Sequence, residues 1–243
     1  VVSWIKGEGG TTVDIRVYRE SEDKYYDFTV ERRKIEVPTV AYEMLEDNIG
    51  YVQVTEFDEV TSDQYIAAVD DLKAQGMEGL IVDIRDNPGG LLSCVVDMLD
   101  YMLPEGTIVY TEDKNGEGDT YTSDAEHYFD LPLAVLVNGN SASASEIFSG
   151  AIQDYETGTI IGTQTFGKGI VQSILPFNDG SAIKITVSRY FTPRGTCIHK
   201  EGITPDVEVD LNEELKTKLT IEKSEDNQLQ KAIENVKEQI AAE

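Results

Sequence analysis

Basic residues are scarce in this 243-residue chain, which carries 46 acidic side chains against 20 basic ones and a formal net charge of −26. Such a charge repels the phosphates of nucleic acids and the anionic surfaces of membranes. We therefore expect neither nucleic acid nor a lipid surface as a partner. The chain also lacks an apolar run long enough to cross a bilayer, and no signal peptide is visible. Hydrophobic residues make up 40% of the sequence, which is enough to form a core.

Cysteine and histidine are equally scarce. Two cysteines, Cys94 and Cys197, are too few for a disulfide scaffold, and two buried free thiols are the favoured interpretation. The two histidines, His127 and His199, lie in polar, turn-like stretches, and no G-x-S-x-G motif occurs. The sequence therefore disfavours a serine–histidine–aspartate triad. No metal ion or cofactor is expected.

Apolar patterning predicts an α/β core. Two strands around a hairpin are predicted by TTVDIRVYR and YYDFTVERRKIEV in residues 1–37. Continuous apolar runs at 79–85 and 133–138 predict strands covered on both faces, and stretches with helical periodicity follow them. NGEGDTYTSD predicts a polar turn, and NQLQKAIENVKEQI predicts an amphipathic helix. We divide the chain into residues 1–37, a core at 38–210 and a C-terminal segment at 211–243.

The two apolar runs each end in a turn of small residues that precedes a predicted helix. The first turn contains NPGG, residues 87–90, and the second contains SASAS, residues 141–145. Ligands collect at the carboxyl ends of strands in open α/β folds, and a helix N-terminus offers unpaired N–H groups to a developing anion. The pattern makes Gly89, Gly90 and Ala144 candidate oxyanion donors. A tight turn and serine capping of a helix explain the same residues without catalysis.

A serine needs a base, and in the absence of a suitable histidine a lysine is the remaining candidate. Lys168 is flanked by glycines and has apolar neighbours at 166, 170 and 171. A free lysine has a pKa of about 10.4, and burial among such neighbours would lower that pKa. Gln172 lies four residues on, on the same face of a strand, where its amide oxygen can accept a hydrogen bond from the lysine. The residues alone leave open a surface lysine in a glycine turn.

Four blocks of sequence carry a resemblance to a known family. In chain order they are DIRDNPGGLL, VLVNGNSASASEIFSGAIQD, GTQTFGKGIVQ and DGSAIKITVSRYFTPRG…EGITPDVEV. Together they resemble the carboxyl-terminal processing (tail-specific) serine proteases over roughly residues 38–240. The resemblance implies an α/β protease core of the crotonase/ClpP-like ββα-superhelix type. It also implies a serine endopeptidase that cleaves protein substrates near their C-termini.

The resemblance assigns roles to individual residues. The middle serine of the S-A-S-A-S block, Ser143, corresponds to the nucleophile, and the lysine of the F-G-K-G block, Lys168, to the general base. Gln172 corresponds to a glutamine that supports this lysine. The oxyanion donors correspond to Gly89, Gly90 and Ala144. Asp154 corresponds to an acidic residue that supports the site indirectly, and solvation of the helix end is its alternative role.

Residues 1–37 resemble the last third of a PDZ domain, which precedes the protease core in this family and binds peptide C-termini as an added strand. The resemblance implies protein or peptide substrates with C-terminal tails. It also implies action outside the cytoplasm, at the cell envelope or after secretion. A homo-oligomer is left open. Two alternatives compete with a protease. One is a crotonase-like acyl-CoA enzyme, which would leave the serine and lysine blocks unexplained; the other is a non-catalytic peptide-binding module.

Overall fold

The computed structural model describes residues 2–33, 37–124, 126–218 and 220–242. The chain divides into two compact units, Val1–Val37 and Pro38–Glu243. In the first unit a short helix, α1 (Val2–Ile5), precedes an antiparallel hairpin of β1 (Thr12–Arg19) and β2 (Lys24–Glu31). The predicted hairpin is confirmed, whereas α1 was not predicted. Residues 34–36 of the second predicted strand lie outside the described residues, and the PDZ assignment stays a prediction.

The second unit alternates strands and helices, and one 3₁₀ turn (Glu46–Asn48) lies between its first two strands. Its elements in chain order are β3 (Val40–Met44), β4 (Ile49–Val54), α2 (Thr61–Ala74), β5 (Gly79–Asp83), α3 (Leu92–Asp100), β6 (Gly106–Glu112), β7 (Thr120–Ser123), β8 (Leu133–Val137), α4 (Ala144–Tyr155), β9 (Thr159–Gly162), β10 (Ile170–Pro176), β11 (Ala182–Phe191), β12 (Val207–Glu208) and α5 (Asn227–Ala242). The α/β prediction is confirmed.

Two sheets organise this unit. The larger has the strand order β12-β9-β8-β5-β4-β3, in which neighbouring strands are parallel except for the antiparallel β3–β4 pair. The smaller is antiparallel, with the order β10-β11-β6-β7. The prediction of a polar turn across NGEGDTYTSD is wrong at its end, because Thr120–Ser123 forms β7 and pairs with β6. Thr and Tyr suit a pleated surface, and the turn residues before them masked that signal.

The larger sheet is buried on both faces, as its continuous apolar strands predict. In β5, Leu80 and Val82 join the core that also contains residues of α2, α3 and α4. Ile81 faces the other way and belongs to a second cluster with residues of α5. The alternation follows from the two-residue period of a strand. The predicted C-terminal helix is therefore part of the second compact unit, where it covers one face of the sheet.

A buried ion-pair network joins the end of β5 to the start of α5. The Arg85 guanidinium lies 2.6 Å from an oxygen of Asp83 and 2.8 Å from an oxygen of Asp226. Tyr51 donates its hydroxyl hydrogen bond to Asp83 at 2.8 Å. Burial tends to raise the pKa of Asp226, but the hydrogen bond and charge of Arg85 outweigh burial and lower it. Sequence patterning did not identify this network.

The two cysteines are free thiols, but only Cys94 is buried and Cys197 is half-buried. The expectation of two buried thiols is therefore wrong for Cys197, which lies in the short turn after β11. Burial raises the pKa of the Cys94 thiol to about 11. Among the described residues, no helix combines the length and the apolar character that a membrane crossing requires.

Candidate active site

The three serines of the SASAS segment have different surroundings. Ser141 is fully buried, donates to the carbonyl of Ile84 at 2.8 Å and accepts the Asn138 N–H at 3.0 Å. Ser145 is also fully buried and donates to the carbonyl of Asn87 at 2.9 Å. Ser143, in contrast, is partly exposed. The outer two hydroxyls therefore hold the local fold together, and the middle hydroxyl is the accessible one.

Ser143 has a strained backbone. It immediately precedes α4 and has φ 56° and ψ −111°, a conformation that residues other than glycine rarely adopt. Such strain persists only where surrounding contacts impose it, and it is concentrated at functional sites. The predicted helix is confirmed, and it begins at Ala144, inside the SASAS segment. The geometry presents the Ser143 side chain at the positive end of a helix.

The NPGG turn lies directly against Ser143. A Cβ built on Gly89, whose φ is +99°, would come 2.8 Å from the Cβ of Ser143 and 2.9 Å from the backbone nitrogen of Ala144. Only glycine allows this approach. Within the described residues, the N–H groups of Gly90 and Ala144 have no hydrogen-bond acceptor. The structure therefore brings the two turns that the sequence predicted as sources of oxyanion donors into contact, at Gly89 and Ala144.

The Gly89 N–H is already engaged in this conformation. It donates to the side-chain oxygen of Asn87 at 2.9 Å, while the Asn87 amide group donates to the carbonyl of Val54 at 2.9 Å. The backbone carbonyl of Asn87 accepts from Ala142 as well as from Ser145. Asn87 is fully buried and so fixes the turn against the serine segment. Gly89 as an oxyanion donor stays a prediction that requires this bond to open.

A buried glutamate connects the serine turn to the lysine segment. One oxygen of Glu146, Oε2, accepts the N–H of Ser143 and the N–H of Lys168, each at 2.8 Å. The other oxygen accepts the N–H of Gly167 at 2.6 Å and the hydroxyl of Thr165 at 2.7 Å. The backbone nitrogens of Ser143 and Lys168 thus share one acceptor atom. Sequence reasoning missed Glu146, although S-x-x-E at 143–146 is a capping signature that indicates its bond to Ser143.

The side chains of Lys168 and Gln172 are exposed. The expectation that apolar neighbours bury Lys168 is wrong for this conformation, because Phe166 is itself 65% exposed. The flanking glycines serve another purpose. A Cβ on Gly167 would come 3.1 Å from the carbonyl carbon of Lys200, so this glycine allows the backbone around Lys200, beyond β11, to approach closely. Gln172 lies in β10 next to a bulge between Val171 and Gln172.

Asp154 lies near the end of α4 and is half-buried. Its carboxylate accepts the backbone N–H of Arg194 at 2.7 Å, in the turn that follows β11. The predicted indirect support is therefore compatible with its position. Asp154 fixes the turn at which β11 ends, and β11 is paired with the strand that contains Gln172.

Comparison with known proteins identifies the family. A model of peptidase family S41 matches residues 48–209. The chain belongs to peptidase family S41. The carboxyl-terminal-processing protease of Synechocystis sp. is 38% identical over 206 residues, a match that covers 83% of this chain and 48% of that protein. The carboxy-terminal processing protease CtpA of Bacillus subtilis is 38% identical over 211 residues, covering 86% of this chain and 45% of that protein.

A solved structure of this S41 peptidase family supports the same fold. The photosystem II D1 C-terminal processing protease aligns with a TM-score of 0.67 and 33% sequence identity, over 84% of this chain and 57% of that chain. The S41 chain described here spans about half the length of the curated relatives it matches. Family membership confirms the predicted resemblance and favours a peptidase over an acyl-CoA enzyme or a non-catalytic module.

Proposed function

We propose that the chain is a serine endopeptidase in which Ser143 is the nucleophile and Lys168 the general base. The observation that carries this proposal is the shared acceptor at Glu146, which holds the backbones of Ser143 and Lys168 together. The partial exposure and strained backbone of Ser143 support its assignment over the buried Ser141 and Ser145. Family membership supports the reaction type.

The chemistry follows from these groups. The neutral amine of Lys168 takes the proton of the Ser143 hydroxyl while the serine oxygen attacks the carbonyl carbon of the scissile peptide bond. The N–H groups of Gly90 and Ala144 stabilise the oxyanion that forms. The protonated lysine then gives its proton to the departing amine, which leaves an acyl-enzyme on Ser143. Water, deprotonated by Lys168, hydrolyses that ester and restores both residues.

Because the Lys168 side chain is exposed, we infer that a bound substrate covers it and thereby helps to activate the site. A peptide chain lying over Lys168 would exclude water from the amine and so favour its neutral form. Gln172 follows four residues later on β10 and is the proposed hydrogen-bond partner that orients the amine. We expect activity to rise from neutral to alkaline pH, because a general base must be unprotonated to accept a proton.

The substrates are proposed to be proteins cleaved near their C-termini, as the names of the relatives in Synechocystis and Bacillus subtilis indicate for those proteins. Action at the cell envelope or outside the cell rests on the same family resemblance. A homo-oligomer and a PDZ-like role for residues 1–37 stay predictions.

Mass spectrometry of β-casein fragments tests the proposal. Ser143→Ala should lower kcat by a factor on the order of 10⁶, as losses of a serine nucleophile do. Lys168→Arg should fail as well, because a guanidinium does not give up its proton. Ser224→Ala, at an exposed serine, is the matched control with unchanged activity. Cleavage by Ser143→Ala together with its loss in Ser141→Ala would contradict the assignment.

A further inference from the structure

The strand that follows Lys168 has an unpaired edge. β10 is an edge strand of the smaller sheet, and among the residues that the structure describes it pairs with β11 alone. The N–H of Phe177 bonds to the carbonyl of Ser181 at 2.7 Å, and bonded pairs alternate along an antiparallel ladder. The register therefore directs the N–H groups of Gln172 and Ile174 away from β11. Pro176, at the next outward position, has no N–H, so this free edge ends there.

The β10–β11 ribbon, residues 170–191, also exposes many apolar side chains. Ile174 is 66% exposed, and its neighbour Leu175 is 47% exposed. Large apolar side chains elsewhere on the ribbon share this exposure: Phe177, Ile183, Ile185 and Val187. An apolar edge strand of this kind invites pairing with another chain, and proteins normally protect such edges. The edge is therefore a candidate surface for binding an extended peptide.

The ribbon region differs in charge from the rest of the molecule. Residues 163–200 contain five basic residues and one acidic residue, Asp179, so this segment carries +4 while the whole chain carries −26. Lys184 pairs with Ile174 across the ribbon and is exposed. Arg189 is also exposed. A negatively charged peptide is therefore attracted to this segment and repelled by the remainder of the surface.

The free edge is continuous with the proposed catalytic site. The Glu146 carboxylate binds the backbone nitrogens of Ser143 and Lys168, and β10 begins at Ile170, two residues after that lysine. A strand added to β10 would thus run along the ribbon from the position of Ser143. β11 ends at this same end of the ribbon, because Arg189 pairs with Ile170, and Asp154 holds the turn that follows β11 in place.

We propose that the outer edge of β10 binds the protein substrate as an added antiparallel or parallel strand. The backbone groups of Gln172 and Ile174 supply the hydrogen bonds, and the apolar ribbon and Lys184 select extended apolar stretches with acidic residues beside them. The bound peptide is a substrate only if the chain is the peptidase of the proposed function, but its binding to the β10 edge is measured without cleavage.

The first experiment measures the binding of fluorescently labelled β-casein by anisotropy, using the full chain with Ser143→Ala. Ile174→Pro deletes one outward N–H and leaves the ladder to β11 intact, as Pro176 does two residues later. It should weaken binding at least about tenfold. Ile174→Val keeps the N–H and is the matched control, with binding within about twofold of the parent. Equal binding by the proline and valine variants overturns the proposal.

A second experiment leaves the protein unchanged. The probe is acetyl-(Val-Thr)₄-Asp-Asp, compared with its fully N-methylated form and with a form ending in Asn-Asn. N-methylation should abolish binding because it removes the peptide's backbone donors, and the neutral form should bind several-fold more weakly at low salt than the acidic form. Equal binding of the methylated peptide overturns the strand-addition mode. Equal binding of the neutral peptide overturns the charge selection.

Two further outcomes separate the explanations. If the parent chain cleaves no β-casein while Ile174→Pro still abolishes its binding, the proposed function fails and the edge proposal stands. If Ile174→Pro changes the sedimentation coefficient and leaves casein binding intact, the edge joins two copies of the chain and the substrate proposal is overturned.

Discussion

Replacing Glu146 by glutamine preserves the size of the side chain and exchanges one carboxylate oxygen for an NH₂ group. Each oxygen of Glu146 accepts two hydrogen bonds in a fully buried position. If the NH₂ replaces Oε2, the N–H groups of Ser143 and Lys168 lose their acceptor. If it replaces Oε1, the N–H of Gly167 loses its acceptor, while the Thr165 hydroxyl can rotate.

The structure sets the size of the effect. Two buried donors are left unsatisfied in the first orientation and one in the second, and each such donor costs about 1–3 kcal/mol. Glu146→Gln should therefore lower the free energy of unfolding by about 1–6 kcal/mol. In either orientation the NH₂ group faces an N–H of the lysine segment, that of Lys168 or that of Gly167, and so shifts this segment relative to the serine turn. A displacement of about 1 Å in a catalytic site costs about 10²-fold in rate, so kcat should fall by at least that factor.

Urea unfolding and β-casein cleavage, both well below the melting temperature, measure the two effects. Glu59→Gln, the same substitution at an exposed glutamate, is the matched control and should change neither quantity. The reasoning is refuted if Glu146→Gln loses stability but keeps kcat within about twofold, since Glu146 would then stabilise the fold without coupling Ser143 to Lys168.

The strand and helix pattern could be predicted because period and composition determine it locally. The buried runs at 79–85 and 133–138 became β5 and β8, and a helix follows the second run as predicted. The outward position of the Ser143 side chain could also be inferred from its place before a helix. Strand β7 was missed because its four residues follow a polar, glycine-containing stretch.

The coupling of the site could not be predicted, because it depends on contacts between distant parts of the chain. The S-x-x-E pattern indicates one of the four hydrogen bonds of Glu146, but the other three come from residues 165–168 and require the tertiary fold. The burial of Lys168 was predicted from apolar sequence neighbours. Those neighbours are themselves half-buried or exposed, because β10 is an edge strand of its sheet, so proximity in sequence did not produce burial.

Three further perturbations separate chemistry from stability. Gly89→Ala should lower kcat/KM for β-casein by about 10²-fold, because its methyl group would come 2.8 Å from the Cβ of Ser143; unchanged kinetics would contradict this contact. Ser145→Ala should cost about 1–3 kcal/mol in urea unfolding and spare kcat below the melting transition, since its buried hydroxyl only ties two turns together. Asp226→Asn should cost about 1–3 kcal/mol at pH 7, because it removes the carboxylate that accepts from Arg85. Arg85 lowers the pKa of Asp226 in the folded chain, so its ionised form stabilises the fold at every pH above the unfolded carboxyl pKa, near 4, and this contribution is lost as the pH falls through the lower folded-state pKa. The difference in unfolding free energy between parent and variant should hence stay constant from pH 8 to about pH 5 and shrink below about pH 4. A difference that is as large at pH 3 as at pH 7 would show that Asp226 acts through packing and not through its charge.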